Sequence, residues 1–281
     1  MGGDLTGKAI VPIAGAEDGA FTAEFLGEIR SGHGPGELAE LCEAVRYNGM
    51  YPWVATAEEI ASRAGDPAAR AALFDQVMLD ELRRWIARAD ERMPPQGIGV
   101  YVMPGNDDPW SCDAVLEAAS HTVSCDDRIV QLGGHEMISC AYANPTPWSS
   151  PRELDEDALY DKIRALAEQV ETPASAIFNL HAPPFASGLD TAYEIDEQLR
   201  IVVRDGKPHE IPVGSKAVKQ ILEEYQPLIS LHGHIHESRG EARIGRTLAL
   251  NTGSDYASGR IHGAIVRLAR DRVLSHQFTI G

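Results

Sequence analysis

Residues 227–236, Pro-Leu-Ile-Ser-Leu-His-Gly-His-Ile-His, pass from an apolar run to Gly233-His234-Ile235-His236 with no turn between them. A short apolar run of this kind reads as a buried strand. Two imidazoles one residue apart at its carboxyl end suit a site that holds metal ions from a rigid edge. Neutral imidazole is the commonest protein metal ligand, and ligands carried on strand ends keep their geometry. Taken alone, an H-x-H pattern fits surface histidines equally well.

Three more segments share this form. Residues 100–103 run into Pro104-Gly105-Asn106-Asp107-Asp108, residues 176–180 run into His181-Ala182-Pro183-Pro184, and Gly2-Gly3-Asp4-Leu5-Thr6-Gly7-Lys8 stands at the start. Ligands of α/β sheets gather beyond the carboxyl ends of strands, so the four segments are expected to meet in one crevice. Together they offer a carboxylate, a side-chain amide and three imidazoles. That mixed nitrogen and oxygen set suits Mn²⁺, Fe or Zn²⁺, whereas an all-oxygen set would suggest Ca²⁺ or Mg²⁺.

Between these segments the chain alternates. Periodicity predicts strands over 98–103, 137–142, 176–180, 199–204 and 228–231, and helices over 111–119, 154–170 and 215–225. Leu159, Ile163, Leu166 and Val170 form one apolar face of the second helix. The last forty residues (242–250, 261–268 and 273–280) read as consecutive strands. Gly34-Pro35-Gly36 and Met93-Pro94-Pro95 bracket a mostly helical region, in which Asp66-Pro67 is a helix start and Leu73, Val77, Leu82, Trp85 and Ile86 recur at helical spacing. The expected architecture is a layered α/β sandwich, one domain over 1–281 with a helical insertion or cap at about 31–95.

Composition narrows the function. The 281 residues carry 42 acidic and 25 basic side chains, a net charge of −17. Such a chain is not expected to coat nucleic acid or an anionic membrane. A phosphate substrate stays possible, because bound cations reverse the local field. There is no run of 18 apolar residues and no basic segment followed by an apolar core, so neither a membrane span nor a secretory signal is expected. Cys42, Cys112, Cys125 and Cys140 form no C-x-x-C pair and read as reduced thiols of a cytoplasmic protein.

The ordered series Gly3-Asp4, Gly105-Asn106, His181 and Gly233-His234-Ile235-His236 resembles the calcineurin-like metallophosphoesterase superfamily, with its blocks D-x-H, G-D, G-N-H-[DE], H and G-H-x-H. The resemblance spans the chain and implies a four-layer αββα sandwich around two metals. It makes Asp4 the bridging carboxylate, with Asn106, His181 and His234 completing one metal site and His236 serving the other. The implied activity is hydrolysis of a small-molecule phosphodiester or phosphomonoester by a metal-activated water.

Two departures stand out. No D-x-H block precedes Gly3-Asp4, which gives the expectation of an amino-terminally truncated form lacking its first strand, or of evolutionary loss, with impaired turnover. The third block reads Gly105-Asn106-Asp107-Asp108, so Asp107 stands where the family histidine protonates the leaving oxygen. A branch of predicted phosphoesterases resembles this chain in that variant, in GGDLTGK and in Asn144-Pro145-Thr146-Pro147-Trp148 with Arg152-Glu153. Asp107 is read either as catalytic or as a turn-capping residue.

The competing class is a non-catalytic module that binds a nucleotide or protein on a degenerate metallophosphoesterase fold. Gly2–Lys8 also matches G-x-x-x-x-G-K, but Ala9 replaces the hydroxyl residue and Pro12 interrupts a following helix, which argues against a phosphate loop. His33, in a glycine-rich loop, is a candidate for a substrate entrance. His121, His135, His209 and His276 read as surface or hydrogen-bonded histidines, His262 is left unassigned, and Asn251 is expected to pin loops. His232 adjoins the site without a role in the motif.

Overall fold

The computed structural model describes residues 2–7, 9–93, 98–255 and 258–281. Lys8, Pro94 and Pro95, which entered the sequence-based expectations, lie outside the described residues. The chain divides into two compact units. One is built on Thr6–Arg88; the other comprises Ala89–Asp255, Arg260–Gly281 and the segment ending at Leu5.

The unit on Thr6–Arg88 contains strands β1 (Ile10–Gly15), β2 (Ala20–Phe25) and β3 (Glu28–His33), helix α1 (Gly34–Tyr47), strand β4 (Tyr51–Ala55), helix α2 (Ala57–Ala64) and, as far as Arg88, helix α3 (Pro67–Arg92). Its sheet runs β3-β2-β1-β4, and only the β1–β4 pair is parallel. Val11 and Ile13 of β1 and Phe21, Ala23 and Phe25 of β2 turn alternate side chains onto Leu38, Leu41 and Val45 of α1. The region expected to be helical thus holds three helices, but it also holds β4, and the sheet before residue 31 was not foreseen.

Local chemistry sets the helix starts. Thr56 accepts the Glu59 N–H at 3.2 Å while Glu59 accepts the Thr56 N–H at 2.9 Å, a reciprocal cap. Asp66 Oδ1 accepts from Ala68 and Ala69, with Pro67 pre-set for the first turn. Leu73, Met78, Leu82 and Ile86 form the buried stripe of α3, and Trp85 stays exposed.

The other unit contains β5 (Val100–Val102), α4 (Ser111–Glu117), β6 (Thr122–Ser124), β7 (Ile129–Leu132), β8 (His135–Cys140), α5 (Glu156–Ala167) and β9 (Ile177–Leu180). The short strands β10 (Thr191–Tyr193), β11 (Val203–Arg204), β12 (Lys207–Pro208) and β13 (Glu210–Pro212) come next. After them lie α6 (Lys216–Tyr225), β14 (Ile229–His232), β15 (Gly240–Ile244), β16 (Thr247–Asn251), β17 (His262–Leu268) and β18 (Val273–Ile280). Six strands form the main sheet in the order β15-β16-β14-β9-β8-β7, in which β16, β14, β9 and β8 are mutually parallel.

Parallel strands are buried on both faces, and the two cores of this unit lie on opposite faces of that sheet. Ile138, Phe178 and Ala249 face α5 and α6, whereas Met137, Ile177 and Leu248 face β17–β18 and the segment around Met103. Helix α4 packs on β6, which pairs with β5. The layers within this unit therefore run helix, sheet, sheet, helix, a mixed α/β architecture. Asp155 caps α5 by accepting the Ala158 N–H, and the Glu156 carboxylate accepts from the Ser215 hydroxyl and the Lys216 and Ala217 N–H groups at the start of α6.

Two sequence-based strand assignments are corrected. Residues 199–204 contribute only Val203–Arg204, because Asp196 Oδ1 accepts from Gln198 and Arg200 in a tight turn and Leu199 adopts φ 59°. Residues 242–250 are two strands of a hairpin, folded back at Gly245 with φ 57°. No helix among the described residues is long and apolar enough to cross a membrane.

Candidate metal centre

Strands β9 and β14 are parallel neighbours, and each ends in a histidine: His181 directly follows β9, and His234 comes two residues after β14. Gly2 forms a parallel bridge to Met103 just beyond β5 of the facing two-stranded sheet, which brings Asp4 beside these strand ends. Ligand-atom positions on Asp4, His181 and His234 all lie within 4.8 Å of one another, close enough to hold one metal ion. Asn106 joins them: its Oδ1 is 2.9 Å from His181 Nε2, which is also 3.3 Å from Asp4 Oδ2. The imidazoles of His181 and His234 stand 5.1 Å apart between centroids.

The other ring nitrogen fixes the chemistry. His181 Nδ1 lies 2.7 Å from the Gly2 carbonyl oxygen, so it carries the proton and donates. Nε2 is then left facing two oxygens. Such a cluster of lone pairs is stable only around something positive. Burial opposes charge on His181, but the Asp4 carboxylate and the Asp4 and Gly2 hydrogen bonds raise its pKa, which favours a proton on Nε2 when no cation is held there. Burial likewise opposes charge on Asp4, yet His181, His234 and the Asp107 N–H hold its carboxyl well below the usual range. His234 is pushed down to about 3 by burial and by neighbouring His181, so it stays a neutral donor.

The backbone is shaped to allow this approach. Asp4 and His234 adopt φ 50° and 64°, left-handed conformations that cost non-glycine residues energy and collect at functional sites. A Cβ on Gly105 would collide with the Asp4 carboxylate and backbone nitrogen. A Cβ on Gly3 would come within 2.7 Å of the Gly105 Cα. The two glycines let the two ligand segments touch. Asp108, fully buried, ties them together by accepting the Leu5 N–H at 2.9 Å and the Gly105 N–H at 2.7 Å.

The other singled-out residues fall in different places. Asp107 is exposed, and its N–H points to Asp4 Oδ1 at 3.4 Å. His236 is partly exposed and outside the Asp4–His181–His234 cluster. Asn251 donates to the carbonyls of Leu189 and Ile235, and its Oδ1 accepts the Gly253 N–H, so it joins three loop segments. His135 and His209 have hydrogen-bond partners in Ser175 and Glu194, and His276 pairs with Glu241. His33 is exposed at the end of β3. Gly2–Gly7 leads to the strand β1, and a phosphate loop needs a helix there. All four cysteines are free.

Sequence reasoning missed Asp108, Arg152 and the Gly2 carbonyl. Arg152 is wholly buried, donates to the Asp108 carbonyl and to Asp113, and stacks its guanidinium 4.4 Å from the Trp110 ring centroid. Its backbone N–H donates to the Asn106 carbonyl at 3.0 Å. The second aspartate of the G-N-D-D segment was the available signal for Asp108, and Arg152 entered only through the Arg152-Glu153 resemblance, with no role attached; the Gly2 carbonyl had no signal.

No family model matches the chain. Among curated proteins it is similar to the protein MJ1162 of Methanocaldococcus jannaschii, 28% identical over 155 residues that cover 54% of this chain and 62% of that one. It is also similar to UDP-2,3-diacylglucosamine hydrolase of Pseudomonas putida, 24% identical over 151 residues, 54% of this chain and 58% of the hydrolase. The chain thus spans about three fifths of the length of these relatives. Among solved structures, TT1561 of Thermus thermophilus aligns with a TM-score of 0.44 and 15% identity, over 66% of this chain and 73% of that one. The sulfate thiohydrolase SoxB aligns with a TM-score of 0.38 and 12% identity, over 87% and 40%.

Proposed function

We propose that the chain is a metal-dependent phosphoester hydrolase of the calcineurin-like metallophosphoesterase type. The observation that carries this reading is the convergence of Asp4 Oδ2, Asn106 Oδ1, His181 Nε2 and the neutral imidazole of His234 beyond the ends of adjacent parallel strands. The partial likeness to a hydrolase supports it. Two imidazoles, a carboxylate and an amide fit Mn²⁺, Fe or Zn²⁺. A cation held there supplies charge neutralisation for a phosphoryl group and a water of lowered pKa.

The chain's own groups do the remaining work. Asp4 keeps its negative charge at neutral pH, and its other oxygen, with His236, would be what the chain offers to a further cation. His181, with its proton committed to Gly2, turns a lone pair inward. Asp107, exposed at the turn that carries Asn106, is the residue we assign as proton donor to the leaving oxygen. Since four donors serve the first ion and two serve the other, one tightly held ion per chain is expected.

The test is metal content by mass spectrometry, followed by hydrolysis of bis-p-nitrophenyl phosphate and p-nitrophenyl phosphate by metal-depleted protein with Mn²⁺ added back. About one ion per chain and Mn²⁺-dependent hydrolysis are expected. Failure to bind Mn²⁺, Fe or Zn²⁺ would remove the reading. Tight binding with no turnover on either ester would reassign the fold to a binding module.

A further inference from the structure

Two consecutive residues ahead of His234 grip three consecutive carbonyl groups centred on His181. His232 is 5% exposed, and its Nδ1 lies 3.0 Å from the Leu180 oxygen and 2.9 Å from the Ala182 oxygen. Between these two, the Gly233 N–H donates to the His181 oxygen at 3.1 Å. Carbonyls only accept, so the His232 proton resides on Nδ1 and is shared by both oxygens. His232 Nε2, 2.9 Å from Ser230 Oγ, accepts from that hydroxyl. Every polar atom of the ring is therefore occupied, and none is available to a cation or substrate.

The location of this contact explains its use. The parallel β9–β14 register runs from Ile229 opposite Ile177 to Leu231 opposite Asn179. Residues 180–182 lie past the end of that register, at the point where the backbone must deliver His181. There one main-chain bond, from the Gly233 N–H to the His181 oxygen, continues the pairing, and the His232 side chain holds the carbonyls on either side of it. His234 needs support as well, since its backbone sits at φ 64°.

We propose that His232 is a positioning residue that staples the backbone around His181 to the segment bearing His234, setting the separation of the two imidazole donors before a cation arrives. The inference rests on the metal-site reading above, and it assigns a function to the first histidine of HGHIH that the ligand pattern leaves idle. Partners that orient ligands are worth roughly 10- to 100-fold in metal affinity.

The test uses the full chain, depleted of metal, with Mn²⁺ affinity measured by chelator competition. His232→Phe keeps the ring volume and removes the donor; His232→Asn restores an N–H near the Nδ1 position. The Phe variant is expected to bind Mn²⁺ at least ~10-fold more weakly, and the Asn variant to recover most of that loss. Ile221→Ala, a fully buried core position on α6, serves as a control for destabilisation alone. Equal weakening in Ile221→Ala and His232→Phe, or no recovery in His232→Asn, would overturn the staple. If the unaltered chain binds no Mn²⁺, the metal-site reading fails by itself. The staple is then decided in the metal-free protein by the imidazole NMR signals of His181 and His234, which His232→Phe should shift and His232→Asn should leave near their original positions. Unmoved signals in His232→Phe would again overturn it.

Discussion

The carbonyl oxygen of Gly2 and Nδ1 of His181, 179 residues apart in sequence, are 2.7 Å apart in the fold. That one hydrogen bond selects the tautomer of His181 and so decides which nitrogen faces Asp4 and Asn106. A ligand imidazole is commonly oriented by an acceptor on its other nitrogen, and here the acceptor is main chain. Side-chain replacement at position 2 leaves the acceptor in place, so the relationship is robust to most substitutions there.

Gly105 is expected to tolerate no side chain. A Cβ would meet Asp4 Oδ1 and the Asp4 backbone nitrogen inside contact distance, and would reach 2.8 Å from His181 Cε1. Gly105→Ala should lower stability by about 1–3 kcal/mol, the usual cost of overpacking, and weaken Mn²⁺ binding. Gly36→Ala, with nothing within 4 Å of its Cβ, is the matched control and should be nearly silent in urea unfolding. Normal Mn²⁺ affinity in Gly105→Ala would show that the two ligand segments need not touch.

Asp108→Ala removes Oδ2, the one oxygen that accepts both the Leu5 and the Gly105 N–H. Both N–H groups lose that partner, at a cost of roughly 1–3 kcal/mol each. The expected result is a lower urea midpoint with an unchanged slope, and weaker metal retention, because the segment holding Asp4 is released. A variant as stable as the original would mean that the carboxylate is dispensable to the clamp.

Asp107→Asn separates a chemical from a structural role for the exposed aspartate. Its backbone N–H toward Asp4 is retained by any residue, so metal content should not change. Loss of a proton donor lowers turnover by about 10²- to 10⁴-fold. Turnover within a few-fold of the original would place Asp107 among the turn residues.

The metal-free protein should be most stable near pH 6.5. His232 is held neutral by burial, with its pKa pushed down from 6.5 to about 4, so the unfolded chain binds its proton first. Stability therefore falls as pH drops from 6.5 toward 4, by up to ~1.4 kcal/mol per pH unit for this one group. His234, also lowered, acts in the same direction. His181 has the opposite sign: its raised pKa contributes stability below 6.5 that is lost as pH rises through the folded value. Urea midpoints in chelator from pH 4.5 to 8.5 should trace a maximum, and a flat profile would contradict the assignment of these three protonation states. Because the His181 pKa is raised, Mn²⁺ binding at a pH below that raised value should release the His181 proton.

The elements best anticipated were those whose signal is short-range. Helix α5 announces itself through Leu159, Ile163 and Leu166, which pack in one core with Val170 just beyond the helix end, and Ser215 marks the start of α6. Strands β9 and β14 read as apolar runs because parallel central strands are buried on both faces. The sheet of β1–β4 escaped notice for the converse reason. Strand β3 is exposed along most of its length and Pro12 interrupts the apolar run of β1, although the alternation of Phe21, Ala23 and Phe25 in β2 was a readable signal. Residues 199–204 look like a strand by composition, yet the Asp196 turn takes their hydrogen bonds.

Order along the chain was enough to indicate which strand ends carry ligand-type residues, because a buried strand followed at once by histidine or by Gly-Asn is a local pattern. Which nitrogen of His181 faces inward, why positions 3 and 105 are glycine, and what Asp108, Arg152 and His232 hold were decided only by tertiary structure. Each depends on a hydrogen bond or close approach between segments remote in sequence, from Gly105 against Asp4 to His232 against Leu180 and Ala182. Such contacts follow from how the strands are ordered and registered in the sheet, and the residues themselves carry no local mark of them.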